Sequence, residues 1–286
     1  MYPAQFEYHT AGTVKEAVDL LAKYKDEAKL LAGGHSLLPA MKLRLAQPRH
    51  LIDIGKVSGL AGIKEEGGTL IIGAMTTHYA IESSAVLKSR CPLLPEVAGH
   101  IGDPMVRNMG TLGGSLAHAD PAADWPAAVI ALRAELVAEG PKGKRTIKVD
   151  DFFKGLLTTA LADDEILTEI RVPACGANVK CAYAKFPHPA SRFAVVGVAA
   201  VLTLDGGKIS KASIGITGAG TKATRAKGVE AAIAGKPADA ASIQAAASSA
   251  AEGVDVQADL QGSVEYKQHL LRVFAKRAME AAAAKK

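Results

Sequence analysis

Cysteine is scarce in this sequence: Cys91, Cys175 and Cys181 are the only three in 286 residues, and no two form a CxxC pair. An odd, scattered set argues against a disulfide framework and fits a reducing compartment, so a cytoplasmic location is expected. Three thiols are also too few for this chain alone to hold an iron–sulfur cluster through four thiolates. No run of about 18 uncharged apolar residues occurs, so no membrane-spanning helix is expected. The opening MYPAQFEYHTAGTV lacks a basic stretch followed by an apolar one, and it lacks a twin-arginine pair, so no export signal is read there. Walker A, HExxH and GxSxG patterns are missing. His118 and Asp120 form an HxD pair with no evident third ligand, so no metal site is expected. Basic residues are dispersed apart from KGKR at 142–145 and the terminal AKK, and no aromatic RNA-binding motif accompanies them. The net charge of +5 therefore suits an acidic partner subunit or an anionic cofactor better than nucleic acid.

What is present is an ordinary globular composition, 49% hydrophobic and 22% charged, long enough for one large domain or a few small ones. Thr13-Val14-Lys15-Glu16 is a capping box, and Val14, Ala17, Val18, Leu20 and Leu21 follow as a helical stripe. AKLLAG predicts a strand, SLLPAMKLRLA a helix with Pro39 near its first turn, and HLIDIG a second strand. The first 55 residues thus predict a βαβ-type unit. TLIIGAMTT, 69–77, predicts a strand, and HYAIESSAVL and LLPEVAGHIG predict helices. AELVAEGPKGKRTIKVD predicts a hairpin, and EILTEIRVP an alternating strand that ends at Pro173. PACGANVK, near 173–180, reads as a connector. Beyond it, CAYAKF, FAVVGVAAVLTLDGG and KISKASIGITGAG predict successive antiparallel strands. Two Ala-rich helices and a terminal helix follow, the last with Val264, Leu270, Leu271 and Phe274 inward.

Two double glycines carry the chemical signal: Ala32-Gly33-Gly34-His35-Ser36 and Thr111-Leu112-Gly113-Gly114-Ser115. Glycine lets a bulky anion approach the backbone N–H groups, and it tolerates positive φ. Ser36, Thr111 and Ser115 add hydroxyls, and a helix starting after Ser36 adds a favourable dipole. Two such loops can clamp a pyrophosphate from two sides; two tight turns without a ligand are the plainer alternative. Asp103, Asp120 and Asp124 near the second loop suit turns and caps, or a carboxylate that accepts from a cofactor. A rival signal, Gly218-Ala219-Gly220-Thr221-Lys222-Ala223, fits GxGxxA after a strand. No acidic residue ending a second parallel strand follows about 20 residues later, so a nicotinamide dinucleotide site there is the weaker reading.

At these residues a family resemblance enters. LAGGHSLLPAMKLRLAQPRHLIDIG, IGDPMVRNMGTLGGSLAHADPAADWPA, DEILTEIRVP and the tail GSVEYKQHLLRVFAKRA resemble, end to end, the FAD-binding medium subunits of the molybdenum hydroxylases. The similarity is greatest to the carbon monoxide dehydrogenase branch of that xanthine dehydrogenase-related family. The resemblance implies an α+β fold: a vanillyl-alcohol-oxidase-type (PCMH-type) FAD-binding domain of two α/β subdomains, then an antiparallel sheet with helices. The expected boundaries are 1–176, divided at about residue 55, and 177–286. The resemblance further implies that Ala32, Gly33, Gly34, His35, Ser36 and Leu37, with Ile101, Thr111, Gly113, Gly114 and Ser115, bind FAD. It sets Asp124 beside the cofactor, Leu167 against the flavin or adenine, and Lys185 near the flavin's pyrimidine carbonyl. Phe193 stands where some carbon monoxide dehydrogenases carry a Tyr that shields the flavin, and Ser115 where Asn is common; these departures leave FAD binding in place and the substrate open. Electrons would arrive from two [2Fe–2S] clusters of a small subunit, after substrate oxidation at the molybdenum cofactor of a large subunit. The expected assembly is a dimer of heterotrimers, and the acceptor would be quinone, NAD⁺ or O₂. No residue of this chain is expected to act as an acid–base catalyst. The alternatives are a stand-alone flavin- or NAD-dependent oxidoreductase and a non-enzymatic nucleotide-binding or scaffold subunit.

Overall fold

Three sheets follow one another along the chain, and the computed structural model describes residues 1–285. The first is parallel, in order β1-β3-β2, built from β1 (Glu7–Thr10), β2 (Ala28–Leu31) and β3 (His50–Asp53). Helix α1 (Val14–Tyr24) crosses between β1 and β2. Its start is fixed as the capping box predicts: Thr13 Oγ1 accepts from Glu16 N, and the Glu16 carboxylate accepts from Gly12 N. Ala17, Val18 and Leu21 are its buried stripe. Helix α2 (Leu37–Lys42) follows β2 after a five-residue loop, 32–36, which lies at the carboxyl end of a parallel sheet, where α/β ligands commonly sit. Strand β1 adds a third strand to the predicted βαβ unit; EYHT is short and polar, so its pattern does not stand out.

The second sheet is antiparallel throughout, in order β4-β5-β10-β6-β7. It contains β4 (Ile63–Glu66), β5 (Thr69–Gly73), β6 (Glu135–Gly140), β7 (Gly143–Lys148) and β10 (Ile166–Pro173), with a small hairpin of β8 (Phe153–Gly155) and β9 (Thr158–Thr159) nearby. Between β5 and β6 run six helices: α3 (His78–Ser83), α4 (Ala85–Arg90), α5 (Leu93–His100), α6 (Pro104–Met109), α7 (Leu112–His118) and α8 (Asp124–Ala131). The single helix predicted over HYAIESSAVL is two. Ser84 has extended backbone and its Oγ accepts from Leu87 N, so it ends α3 and caps α4. The strand predicted to Thr77 ends at Gly73, because residues 74–78 bond instead to residues 110–113.

The third sheet, β11 (Val179–Pro187), β12 (Ala194–Asp205), β13 (Lys208–Thr217) and β14 (Thr224–Arg225), is antiparallel in that order. Helices α9 (Lys227–Ile233), α10 (Ala240–Ala247) and α11 (Val264–Ala284) pack on one side, where Leu271, Phe274 and Ala278 meet Val198, Ala200 and Leu202. Side chains alternate across a strand. On β11, Ala182 therefore joins that core while Cys181 and Tyr183 join the core of the preceding domain. Lys185 shares the parity of Tyr183, and this brings its ammonium to the end of α5 and the start of α8. Both faces of β12 are covered, which explains its nearly continuous apolar run, AVVGVAAVL.

Helix α8 is the wedge between the two regions, and every one of its residues is buried. It packs on β12, β13 and α5. The contact depends on Gly215, where a Cβ would come within 2.0 Å of the Ala127 carbonyl. The segment before α8 is tied to the third sheet by backbone. Thr217 Oγ1 donates to the Pro121 and Ala123 carbonyls at 2.7 Å, and Gly218 N donates to the Pro121 carbonyl at 2.7 Å. This accounts for the GxGxxA stretch. Gly218 has φ +86° and stands at a strand end, no helix starts directly after it, and its amide serves Pro121. The stretch is the strand-end turn that the sequence favours over a dinucleotide site at 218–223.

Candidate functional site

The two glycine pairs lie together. The segments 32–36, 74–78 and 109–115 stack backbone on backbone, and glycines stand at each contact. A Cβ on Gly33 would fall 2.1 Å from the Met109 carbonyl oxygen, and one on Gly113 would fall 2.4 Å from Ala74 Cβ. A Cβ on Gly114 would meet Thr111 Oγ1 at 2.7 Å. Gly34 has φ +74°, the left-handed region that glycine enters without strain. The first answer to what approaches these glycines is therefore the protein itself.

The pairs differ in what they leave open. In the first, the amides of Gly33, Gly34, His35 and Ser36 donate to no protein acceptor among the described residues. In the second, Leu112 N donates to the Thr76 carbonyl at 3.0 Å and Gly113 N to the Ala74 carbonyl at 2.8 Å. Gly114 N donates to Thr111 Oγ1 at 3.1 Å, and Ser115 N to the Thr111 carbonyl at 3.1 Å. The second pair is thus no loop but the first turn of α7, with Thr111 as its N-cap. A symmetrical clamp of amides from both sides is corrected to a one-sided row of free amides facing a capped helix end.

Both segments border a cleft of about 760 Å³. Fourteen of the fifteen residues predicted to form the site line it: Ala32, Gly33, Gly34, His35, Ser36, Leu37, Ile101, Thr111, Gly113, Gly114, Ser115, Asp124, Leu167 and Phe193. Leu167 is buried on β10 beside a bulge, whereas Phe193 is 43% exposed at the rim. Lys185 is the exception. Its side chain is 1% exposed, and its Nζ donates to Asp124 Oδ2 at 2.8 Å and to the His100 carbonyl at 3.1 Å. It stands behind the wall of the cleft, tied to Asp124. Asp103 caps α6 and Asp120 accepts from Ala122 N, so both have structural work of their own.

Asp124 sits at the first position of α8, where the helix dipole favours a negative charge. Besides Lys185 it takes the Tyr183 hydroxyl at 2.5 Å on Oδ1. Burial pushes its pKa up, and Lys185 and Tyr183 pull it back down. The Tyr183 phenol is itself pushed well up by burial and the neighbouring carboxylate. Two of about four carboxylate lone-pair sites are used, which leaves capacity for a donor in the cleft. His78 also lines the cleft, and its Nδ1 accepts from Trp125 Nε1 at 3.0 Å. The sequence did not mark His78, Tyr183 or His100; the 74–78/110–113 contacts bring His78 to the cleft, and β11 brings Tyr183 to Asp124 and Lys185 to the His100 carbonyl behind it.

The donor set suits a large anionic nucleotide. Four free amides at the end of a parallel sheet are donors that a phosphate can use, and the apolar Ile101, Leu167 and Phe193 offer surface for flat rings. Comparison with known proteins agrees. Residues 4–175 match the family model "FAD binding domain in molybdopterin dehydrogenase", and residues 181–282 match "CO dehydrogenase flavoprotein C-terminal domain". The carbon monoxide dehydrogenase medium chain of Hydrogenophaga pseudoflava is 45% identical over 282 residues, covering 99% of this chain and 98% of that one. The medium chain from Afipia carboxidovorans is 38% identical, covering 100% and 99%. A solved structure of the Hydrogenophaga pseudoflava enzyme lacking the Mo-pyranopterin moiety superposes with a TM-score of 0.97 at 47% identity, with 99% of each chain covered. The chain belongs to the family of FAD-binding medium subunits of the molybdopterin dehydrogenases.

Proposed function

We propose that this chain is the electron-transfer subunit of a cytoplasmic carbon monoxide dehydrogenase-like complex, a dimer of heterotrimers. In this reading a small [2Fe–2S] subunit delivers electrons and a large molybdopterin subunit oxidises the substrate. The observation that carries it is the row of free amides from Gly33 to Ser36 at the mouth of a 760 Å³ cleft, in a chain of this family. We take residues 1–176 as the FAD domain and 177–286 as the C-terminal domain.

FAD, when bound, supplies a carrier that takes electrons singly and gives them up in pairs. This chain's residues hold and tune it. The amides of Gly33, Gly34, His35 and Ser36 solvate the pyrophosphate, and the dipole of α7 adds to the field there. Leu167, Ile101 and Phe193 shield the rings from water. Asp124 accepts from an N–H or hydroxyl of the cofactor, while Lys185 and Tyr183 fix its orientation. Lys185 contributes its positive charge from behind the wall. The substrate is selected by the partner's pocket, and this chain's part is to hold and tune the carrier. Three free thiols support a reducing compartment.

The test is expression of the chain with the genes encoded beside it. A yellow complex that co-purifies with molybdenum and iron–sulfur subunits supports the reading. A complex fully loaded with molybdenum and iron but colourless in the flavin bands refutes it.

A further inference from the structure

We propose that His78 is a positioning residue that donates its Nε2–H to a phosphate oxygen of the nucleotide in the cleft. This inference rests on the FAD reading above. Its geometry begins with Trp125, whose indole N–H is a donor only. The 3.0 Å contact with His78 Nδ1 therefore makes Nδ1 the acceptor, and a neutral ring must carry its proton on Nε2. His78 is 5% exposed and lines the cleft, yet no acceptor among the described residues meets Nε2. No buried side-chain nitrogen or oxygen lacks a partner among the described residues, so Nε2, which has none, keeps its open surface on the cleft, where a bound oxygen can accept from it.

The place where Nε2 ends is defined by Gly110. A Cβ there would fall 2.6 Å from Nε2 and 2.9 Å from Cδ2. Gly110 has φ −62°, which any residue adopts, so glycine is needed there for space and not for conformation. The same stretch presses on the first glycine pair, since the Met109 carbonyl and Gly110 Cα abut Gly33. The Nε2–H and the free amides of 33–36 therefore border one region of the cleft. Burial, with lesser contributions from His35 and Arg107, pushes the His78 pKa down to about 4, which keeps the ring neutral near pH 7. A neutral donor with a fixed tautomer offers direction to one oxygen without adding a second buried charge.

The experiment uses the full chain stripped of flavin and titrated with FAD and, separately, with riboflavin, which has no phosphate. Far-ultraviolet circular dichroism monitors folding. His78→Leu should weaken FAD binding about tenfold to a hundredfold, the usual effect of losing one hydrogen bond to a charged group. His78→Gln, which can both accept from Trp125 and donate, should stay within about threefold of wild type, and riboflavin binding should not distinguish the three proteins. In the ¹⁵N-histidine-labelled wild type, the Nε2–H resonance should move on addition of FAD and stay in place with riboflavin. A folded His78→Leu chain with wild-type FAD affinity overturns the proposal, as does a His78 resonance indifferent to FAD. Wild-type protein that binds FAD no better than riboflavin overturns instead the pyrophosphate reading on which the proposal stands.

Discussion

Lys185→Met separates a buried ion pair that faces the cleft from one that merely decorates it. The Lys185 and Asp124 side chains are 1% and 5% exposed, and their charged atoms are 2.8 Å apart. At an effective dielectric of about 20 the attraction is roughly 6 kcal/mol, most of it offset by desolvation. Breaking such a pair from one side leaves a buried charge, at a cost of about 3–5 kcal/mol. In a domain of this size that lowers Tm by roughly 10 °C. Burial already pushes the Asp124 pKa up, and Lys185 is the largest influence pulling it down. Without Lys185 the carboxyl rises further. A carboxyl whose folded pKa exceeds its unfolded value stabilises the fold only below the unfolded pKa. That contribution is lost as pH rises through the folded pKa, by about 1.4 kcal/mol per unit.

The deficit of Lys185→Met should therefore be small near pH 5 and grow towards pH 8. Asp124→Asn on top of it should recover part of the loss, since Asn still accepts from Tyr183 without a charge. Trp125, the only tryptophan and fully buried on the same helix as Asp124, reports the transition by fluorescence. A Lys185→Met deficit under about 1 kcal/mol at pH 8, or one that does not change with pH, would refute the argument.

Gly33→Ala should cost about 1–3 kcal/mol and prevent FAD loading, because its Cβ meets the Met109 carbonyl; Gly155→Ala is the control, with open space around it and no positive φ, read by thermal melting and flavin absorbance. Gly34→Val and Gly114→Val should likewise block FAD loading while the C-terminal domain, assayed by limited proteolysis, still folds. Gly215→Val should detach α8 from the third sheet and expose the 176–180 connector to protease, since its Cβ would overlap the Ala127 carbonyl. The Cys175 thiol is pushed up to about 12, because contact with Cys91 and burial outweigh the opposing contact with Cys181. Contact with Cys175, and then burial, push Cys181 well up too. Iodoacetamide at pH 8 should accordingly leave both unmodified until the chain unfolds.

Most of the scaffold was legible because its signals are local. The capping box at Thr13, the alternation of EILTEIRVP and the stripe Leu270, Leu271, Phe274 each sit within one element, and each element forms. The elements that were not read are those whose partners are distant. EYHT becomes a strand only because HLID lies beside it, and residues 74–77 leave the strand only because 110–113 claims their carbonyls. The two glycine pairs make the same point at the site. As sequence they are nearly interchangeable: a small residue, two glycines and a serine nearby. Their chemistry is set by who else needs their amides. Ala74 and Thr76, more than 30 residues upstream, take the amides of Gly113 and Leu112 and turn that pair into a capped helix end. Met109 and Gly110 press on Gly33, yet no segment takes the amides of Gly33 to Ser36, so those four donors stay open. A glycine pair thus signals close approach, but whether by anion or by backbone depends on a long-range hydrogen-bond count. Here backbone presses on both pairs, but the count leaves the amides of the first open and closes those of the second.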